Sequence, residues 1–426
     1  MLRQLALVSA ALAVTAGSTA AQIPVSKEPA LGRSGTAGPL QAALDMIRAD
    51  NAWTLQQQRE LCEIPAPPFQ EAARAAEYLK RMRALGLMNG RIDAEGNAIA
   101  ERPGSTGPTV VVVGHLDTVF PEGTDVTVRE QGGRLTGPGI GDNCRGLAAM
   151  LAVARAFQRT DVPNAGRIIF VGNVGEEGPG NLRGVKHLYD VELKGQIDYF
   201  VAVDGAGLDL VTSAVGSKRY KLAFKGPGGH SYGAFGIPNP IHALGRAIAT
   251  VSDLQVPANP RTTFNVGIIS GGTSVNSIPF EGIAEIDMRS ESPEALDRLE
   301  QRVMNAFREA LDAENARWPG ARAQEARLSL QVDTIGIRPA GSQLETAPIV
   351  QAALGAARAL DFTTRIGASS TDANVPLGRG LPGISMDAGG RGSGAHSLDE
   401  WYEDGQRGWL GPQWIALTIT NLTGLR

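Results

Sequence analysis

The chain is short of the residues that would make it a disulfide scaffold, a nucleic-acid binder or a membrane protein. Only two cysteines occur, Cys62 and Cys144, too few for a disulfide framework or a thiolate zinc site. One bridge is open to them in an oxidising compartment, but the expectation is two free or buried thiols. Lys and Arg total 40 against 44 Asp and Glu, a net charge of −4, and no basic run breaks that balance. The footprint that nucleic acid requires is therefore missing. No Gly-x-Ser-x-Gly elbow occurs, which removes the usual serine-hydrolase arrangement. The glycine-rich turns Gly137-Pro-Gly-Ile-Gly and Gly226-Pro-Gly-Gly lack the Lys-Ser/Thr ending of a phosphate loop. Internal repeats are absent as well.

A largely apolar stretch stands at the start, Leu5 to Val14 with Ser9 inside it, with Arg3 before it and Ser18-Thr-Ala-Ala21 after it. It is shorter than the roughly 20 residues that span a bilayer. Its layout is that of a secretory signal peptide, residues 1–21, cut after Ala20 or Ala21. The expected mature protein is exported, periplasmic or extracellular in a bacterium, with no membrane partner and a flexible leader at 22–38. With 42% apolar residues the chain can bury a core, and 426 residues exceed one typical core, so two domains are expected.

The residues present assemble around Thr109-Val-Val-Val-Val-Gly-His-Leu-Asp117. Four consecutive valines read as a strand buried on both faces, because a solvated face would demand alternation. His115 and Asp117 follow at its carboxyl end, where open α/β sheets bind ligands. Taken alone, the pair is equally a strand that ends in a polar turn. From there strands and helices alternate: a helix at Arg145–Arg159, a strand at Arg167–Val174, another at Asp198–Val203. This rhythm predicts α/β architecture, a mostly parallel sheet covered by helices.

The order changes near Gly216. A half-buried strand at Tyr220–Lys225, a helix around Ile241–Val251, strands at Thr263–Ser270 and Phe280–Arg289, a helix around Leu296–Leu311 and a strand at Arg327–Val332 give β-α-β-β-α-β. That is the ferredoxin-like α+β unit, and the expected division is 39–215, an inserted domain at 216–333, and 334–426. Before it, one helical stretch is expected from Pro39 to about Leu61, and a second from Gln70 to Leu85.

Successive strand ends carry metal-type donors. His115 and Asp117 close the first, Asp142 sits in the glycine-rich turn before the next helix, Glu176-Glu177 follow the second strand and Asp204 the third. Far along the chain, His396 ends the glycine-rich loop that begins at Gly389. Carboxylates mixed with imidazole suit zinc, and a shared carboxylate can hold two ions about 3.5–4 Å apart. Hydrolysis by such a pair needs one further carboxylate to carry a proton. Adjacent glutamates in extended backbone point opposite ways, so one can bind metal while the other faces water. His187 and His242 lie on helix faces outside every such motif and read as structural.

This series, with the β-α-β-β-α-β insert, resembles the di-zinc exopeptidases and deacylases that include glutamate carboxypeptidase, peptidase T, acetylornithine deacetylase and succinyl-diaminopimelate desuccinylase. The resemblance implies two zinc ions per chain, with Co²⁺ or Mn²⁺ as substitutes. It places His115 and Asp204 on one ion, Glu177 and His396 on the other, and Asp142 between them. Glu176 becomes the general base and Asp117 the residue that orients His115. It implies further that His230, in Gly226-Pro-Gly-Gly-His230-Ser231, reaches an active site, usually that of a dimer partner, and that Asn276 and Arg289 hold substrate. The alternative for Asn276 and Arg289 is a hairpin turn and a surface ion pair with Asp287. The functions implied are a zinc exopeptidase for short peptides or a deacylase of N-acyl amino acids, in a homodimer joined through the insert; a ligand-binding relative without catalysis is the third reading.

The departures are local. Asn143-Cys144-Arg145-Gly146 stands where many relatives have a second aspartate and a lysine, and Ser369-Ser-Thr-Asp372 where many have Gly-Gly-Thr-Asp. Aspartate at 204, where carboxypeptidase and deacylase relatives often have glutamate, tilts the expectation toward peptides with a free amino end.

Overall fold

The structure, a computed structural model, describes residues 38–425. The signal peptide and nearly all of the leader expected at 1–38 lie outside the described residues. Among the described residues, no helix is long and apolar enough to cross a membrane.

A nine-stranded mixed sheet is built around the valine strand Thr109–His115. The strand is flanked in parallel by Arg167–Asn173 on one side and Tyr199–Val203 on the other. Beyond Tyr199–Val203 comes Gly383–Met386, also parallel, while Ala98–Arg102 runs antiparallel outside Arg167–Asn173. The valines show why a run without alternation becomes a central strand. Val110 and Val112 enter the apolar cluster on one face, and Val111 and Val113 enter the cluster on the other. All four are inaccessible to solvent, each contributing roughly 1.5–3 kcal/mol by burial.

The helix Cys144–Arg159 covers one face of this sheet. Leu147, Met150, Leu151, Ala154 and Phe157, the expected apolar positions, are all buried in it. Asn143 caps its start by accepting a hydrogen bond from the Gly146 amide at 3.1 Å, satisfying one of the free N–H groups of the first turn. The closing helix Leu410–Thr423 packs on the same side, with Trp414 fully enclosed.

Residues 216–338 build a separate four-stranded antiparallel sheet in the order Thr262–Gly271, Glu281–Ser290, Gly216–Lys225, Ser329–Arg338. The helices Pro240–Ser252 and Pro293–Ala316 pack on it over a core of their own, including Leu222, Phe224, Leu244, Met288 and Phe307. The order and the two crossings are those of the ferredoxin-like unit. Its last strand runs to Arg338, past the expected limit at 333, and so carries the chain directly back toward the large sheet.

Two expectations are corrected. The helical stretch from Pro39 to Leu61 is two helices, Pro39–Ala49 and Asn51–Cys62. They break at Asp50, whose carboxylate leaves the helical path to take Arg155 at 2.8 Å. Nor are the cysteines free: Cys62 and Cys144 are bonded to each other with Cα atoms 5.5 Å apart. Periodicity places Cys62 at the end of one helix and Cys144 at the start of another, but only the packing of those two helices brings them together.

A small four-stranded sheet was not foreseen. It joins Arg391–Ser393, Trp401–Glu403, Arg134–Thr136 and Arg129–Gln131. These strands are three residues each, too short for a periodic signal. Their pairing sets the turn after Thr136 beside the loop that contains His396.

Candidate metal centre

The carboxyl ends of the parallel strands converge on one edge, and each delivers its donor there. His115 is the last residue of its strand. Asp204 directly follows Val203, the last residue of its own. Asp142 lies between them because Asn143 donates to the Val203 carbonyl at 2.8 Å, which fixes the start of the helix against the neighbouring strand end. The Glu176-Glu177 turn follows Gly175, whose φ of +70° is a left-handed conformation that suits glycine. A Cβ there would meet the Arg183 side chain at 2.5 Å.

Three overlapping groups of donors result; one is His115, Glu176 and Glu177, and the two made of the expected ligands share Asp142. His115, Asp142 and Asp204 form the first and Asp142, Glu177 and His396 the second, with the ligand atoms of each group within 4.8 Å of one another. Asp142 turns one oxygen to each histidine: Oδ1 lies 2.9 Å from His115 Nε2, and Oδ2 lies 3.3 Å from His396 Nε2. His396 Nε2 is also 3.0 Å from Glu177 Oε1, and His115 Nε2 is 3.6 Å from Asp204 Oδ1. All five residues expected as metal ligands are therefore in one place. His396 reaches it with φ +66°, an uncommon conformation for a residue with a side chain.

Electrostatics agree with a site crowded by negative charge. Hydrogen bonds to Asp142 and Glu177 hold the His396 imidazole up at about 10. Burial opposes charge on His115, but its contacts with Asp142 and Asp204 outweigh it and raise its pKa well above the usual value. Desolvation opposes charge on the partly buried Asp142 too, yet the two histidines keep it below the ordinary carboxylate range.

Glu176 and Glu177 take different partners, although one oxygen of each lies within 4.8 Å of the other and of His115. Glu177 faces His396, whereas Glu176 Oε1 accepts from Arg338 Nη1 at 2.8 Å. Glu176 is almost fully enclosed, and burial is the main cause of a pKa raised well above the usual value, against the opposing pull of Arg338. Asp117 differs in part from its expected contact. It does touch His115, but through its main-chain carbonyl, 3.0 Å from Nδ1; its nearest carboxylate oxygen is 3.8 Å away. That carboxylate instead accepts the Glu176 and Glu177 amides at 3.1 and 2.7 Å. A buried carboxylate takes the strongest donors in reach, and the turn beside it offers two in line.

The insert residues lie apart from this cluster. His230 is exposed, and its Nδ1 accepts from the Tyr232 and Gly233 amides at 3.3 and 3.2 Å. Asn276 is adjacent, its carbonyl taking the Ser231 amide. Arg289 makes the surface pair with Asp287, at 2.7 Å, and Asp287 also binds Arg219. Among the described residues, none of the three is hydrogen-bonded or ion-paired to the donor cluster.

Two supporting residues, Arg338 and Glu400, escaped the sequence reading, and a third, Asp372, entered it only as the end of Ser369-Ser-Thr-Asp372. Arg338 is buried, holding Glu176 and touching Ser370 Oγ at 3.1 Å; a lone arginine before a proline carries no signal for that. Asp372 takes Asn173 at 2.7 Å, and burial pushes its pKa up to about 7. Glu400 accepts main-chain amides of the Asp142 turn; its position four residues after His396 was the one available hint. A further trio, Asp93, His187 and Glu192, has donors close together. There Asp93 is already saturated by the amides of Glu95, Gly96 and Asn97 and the Asn97 side chain, and Glu192 is paired with Arg91, so the structural reading of His187 stands.

A family model for peptidases matches residues 111–407, the span that contains the whole donor cluster. The chain belongs to peptidase family M20/M25/M40. Curated relatives include the succinyl-diaminopimelate desuccinylase of Legionella pneumophila strain Lens, 31% identical over 223 residues, which is 48% of this chain and 59% of that one. The desuccinylase of Pseudomonas syringae pv. syringae is 30% identical over 249 residues, 54% of this chain and 64% of that one. The matched regions thus span less than two thirds of those proteins. Among solved structures, aminopeptidase PepT from Bacillus cereus superposes with a TM-score of 0.68 at 21% identity, covering 89% of this chain and 99% of that one. A dinuclear metal-binding peptidase of the M20 family from Bacillus subtilis gives 0.65 at 16% identity, covering 88% and 99%. At these identities the superpositions establish a shared fold.

Proposed function

We propose that this M20-family chain is an exported, two-metal amide hydrolase that cuts short peptides. The observation that carries the reading is Asp142, one carboxylate shared by two complete groups of donors. The donor set fits a pair of divalent ions: each group offers one imidazole and two carboxylates, the mixture that suits zinc. His115, Asp142 and Asp204 would hold one ion, and Asp142, Glu177 and His396 the other. Such ions, when bound, supply a water of lowered pKa and a polarised carbonyl.

The remaining work falls to the chain itself. Arg338 holds Glu176 Oε1, which leaves Oε2 to accept a proton and return it to the departing nitrogen. Asp117 fixes the backbone beneath Glu176 and Glu177. His230 accepts at Nδ1 from two amides, so its ring proton is on Nε2, ready to donate to an oxyanion. In our reading it does so across a homodimer. Support comes from the strand Thr262–Gly271, which is paired on one side only and exposes Ile268 and Ile269. Asn276 beside His230, and Arg289 with its planar fork, are the groups assigned to substrate. Export is supported by the Cys62–Cys144 bridge, since disulfides persist in oxidising compartments.

A second reading, a deacylase of N-acyl amino acids, is favoured by the desuccinylase relatives. Dipeptides, tripeptides and N-acyl amino acids assayed in parallel separate the two: turnover of acyl substrates with inert peptides would overturn the first. Exhaustive chelation should abolish activity, and Zn²⁺, Co²⁺ or Mn²⁺ should restore it. Activity that survives chelation refutes both.

A further inference from the structure

The turn that presents Asp142 is wrapped around a single buried carboxylate. Glu400 is 2% exposed. Its Oε1 accepts the Gly141 amide at 2.7 Å and the Asp142 amide at 2.8 Å, and its Oε2 accepts the Gly139 amide at 2.8 Å. Its own carbonyl takes the Gly137 amide at 3.0 Å. Four main-chain donors of residues 137–142 thus end on one residue. Gly139 has φ +78°, which aims its amide inward, and a Cβ on Gly141 would come within 3.1 Å of Glu400 Oε1.

Glu400 also belongs to the loop of the other histidine. It follows His396 by four residues, and its amide bonds the Ser397 carbonyl at 3.2 Å. The strand Trp401–Glu403 that follows pairs with Arg134–Thr136, the strand that leads into the Asp142 turn. One side chain therefore ties the loop of the shared ligand to the loop of His396, a ligand of only the second group.

Resting on the two-ion reading above, we propose that Glu400 is a positioning residue for the metal centre. By holding the Asp142 amide and the turn before it, it sets the orientation in which Asp142 offers one oxygen to each side. Amide donors on a carboxylate make a rigid support, and outer partners of metal ligands typically govern about 10- to 100-fold in affinity.

The test is titration of Co²⁺ into the metal-free full chain, followed by visible absorption and by magnetic coupling between the two ions. Glu400→Ala removes both carboxylate oxygens and the three hydrogen bonds they accept, and Glu400→Gln keeps an oxygen for Gly141 and Asp142 while placing an amide against Gly139. The expected result is a graded loss, about 10- to 100-fold in Co²⁺ affinity for the alanine variant and a smaller loss for glutamine, with weakened coupling between the ions. Glu314→Gln, at another fully buried carboxylate but in the insert, should leave both Co²⁺ constants unchanged. If the alanine variant does not fold, the glutamine variant decides. Wild-type affinity and coupling in the folded Glu400 variants overturn this inference alone, whereas a wild-type chain that binds no pair of ions sinks the two-ion reading and the inference with it.

Discussion

Opening the Cys62–Cys144 bridge should destabilise the protein by several kcal/mol without touching a functional side chain. The two cysteines are 82 positions apart in sequence, so the bridge closes a long loop in the denatured chain. Loop-closure entropy for that size amounts to about 4.5 kcal/mol at 25 °C. Both residues are fully buried among Val128, Leu135, Ile140 and Tyr402, so alanine at each also removes one sulfur from that core, a smaller term than the loop entropy. The measurement is urea unfolding of the wild type with and without reductant, beside the double variant Cys62→Ala/Cys144→Ala. Reductant and double substitution should lower the midpoint to a similar degree, and the slope should rise because the uncrosslinked denatured chain is more expanded. Two results would refute the reasoning: two titratable thiols in the unreduced, unfolded protein, or a midpoint that reductant does not move.

Three other outcomes follow from the donor cluster. Glu176→Gln should keep its metal content and lose about 10²- to 10⁴-fold in kcat, read by steady-state kinetics beside elemental analysis; substantial residual turnover removes Glu176 from the role of base. Asp142→Ala should lose both ions, whereas His396→Ala should retain one tight site, a difference in stoichiometry visible by calorimetric titration. Arg338→Met should destabilise by about 3–5 kcal/mol, since it leaves the buried Glu176 carboxylate without its partner; an unchanged urea midpoint would show that the pair is not buried in solution.

Much of the site was legible because strand ends are legible. A valine run with no polar alternation reads as a strand buried on both faces, and a histidine at its carboxyl end stands where open sheets bind ligands, although the pair His115 and Asp117 taken alone is equally a polar turn. The same logic located Glu177 and Asp204, each past the end of a strand whose apolar pattern is plain, and Asp142 in the turn before a helix with an equally plain one. His396 was recognised through its resemblance, in a loop with no periodic support. Arg338 and Glu400 were invisible as partners, because a buried ion pair and a cluster of amide contacts depend on residues 162 and 258–261 positions distant. Asp117 shows the limit at closer range. Its neighbourhood to His115 was plain, but whether the carbonyl or the carboxylate makes the contact depends on the Glu176-Glu177 turn that arrives from elsewhere.

By itself, then, the sequence determined the layer architecture, the β-α-β-β-α-β order and the strand-end positions of His115, Glu177 and Asp204, because hydrophobic periodicity and strand-end position are local properties. Tertiary structure decided that the donors gather around Asp142, that Arg338 pairs with Glu176, and that the two cysteines are joined. Those outcomes depend on distances between loops far apart in the chain, and side-chain pairing at that range is set by how helices and sheets pack. The crossing of the helices that end in Cys62 and begin at Cys144, and the three-residue strands that seat Glu400 under Asp142, are the contacts that make the decision.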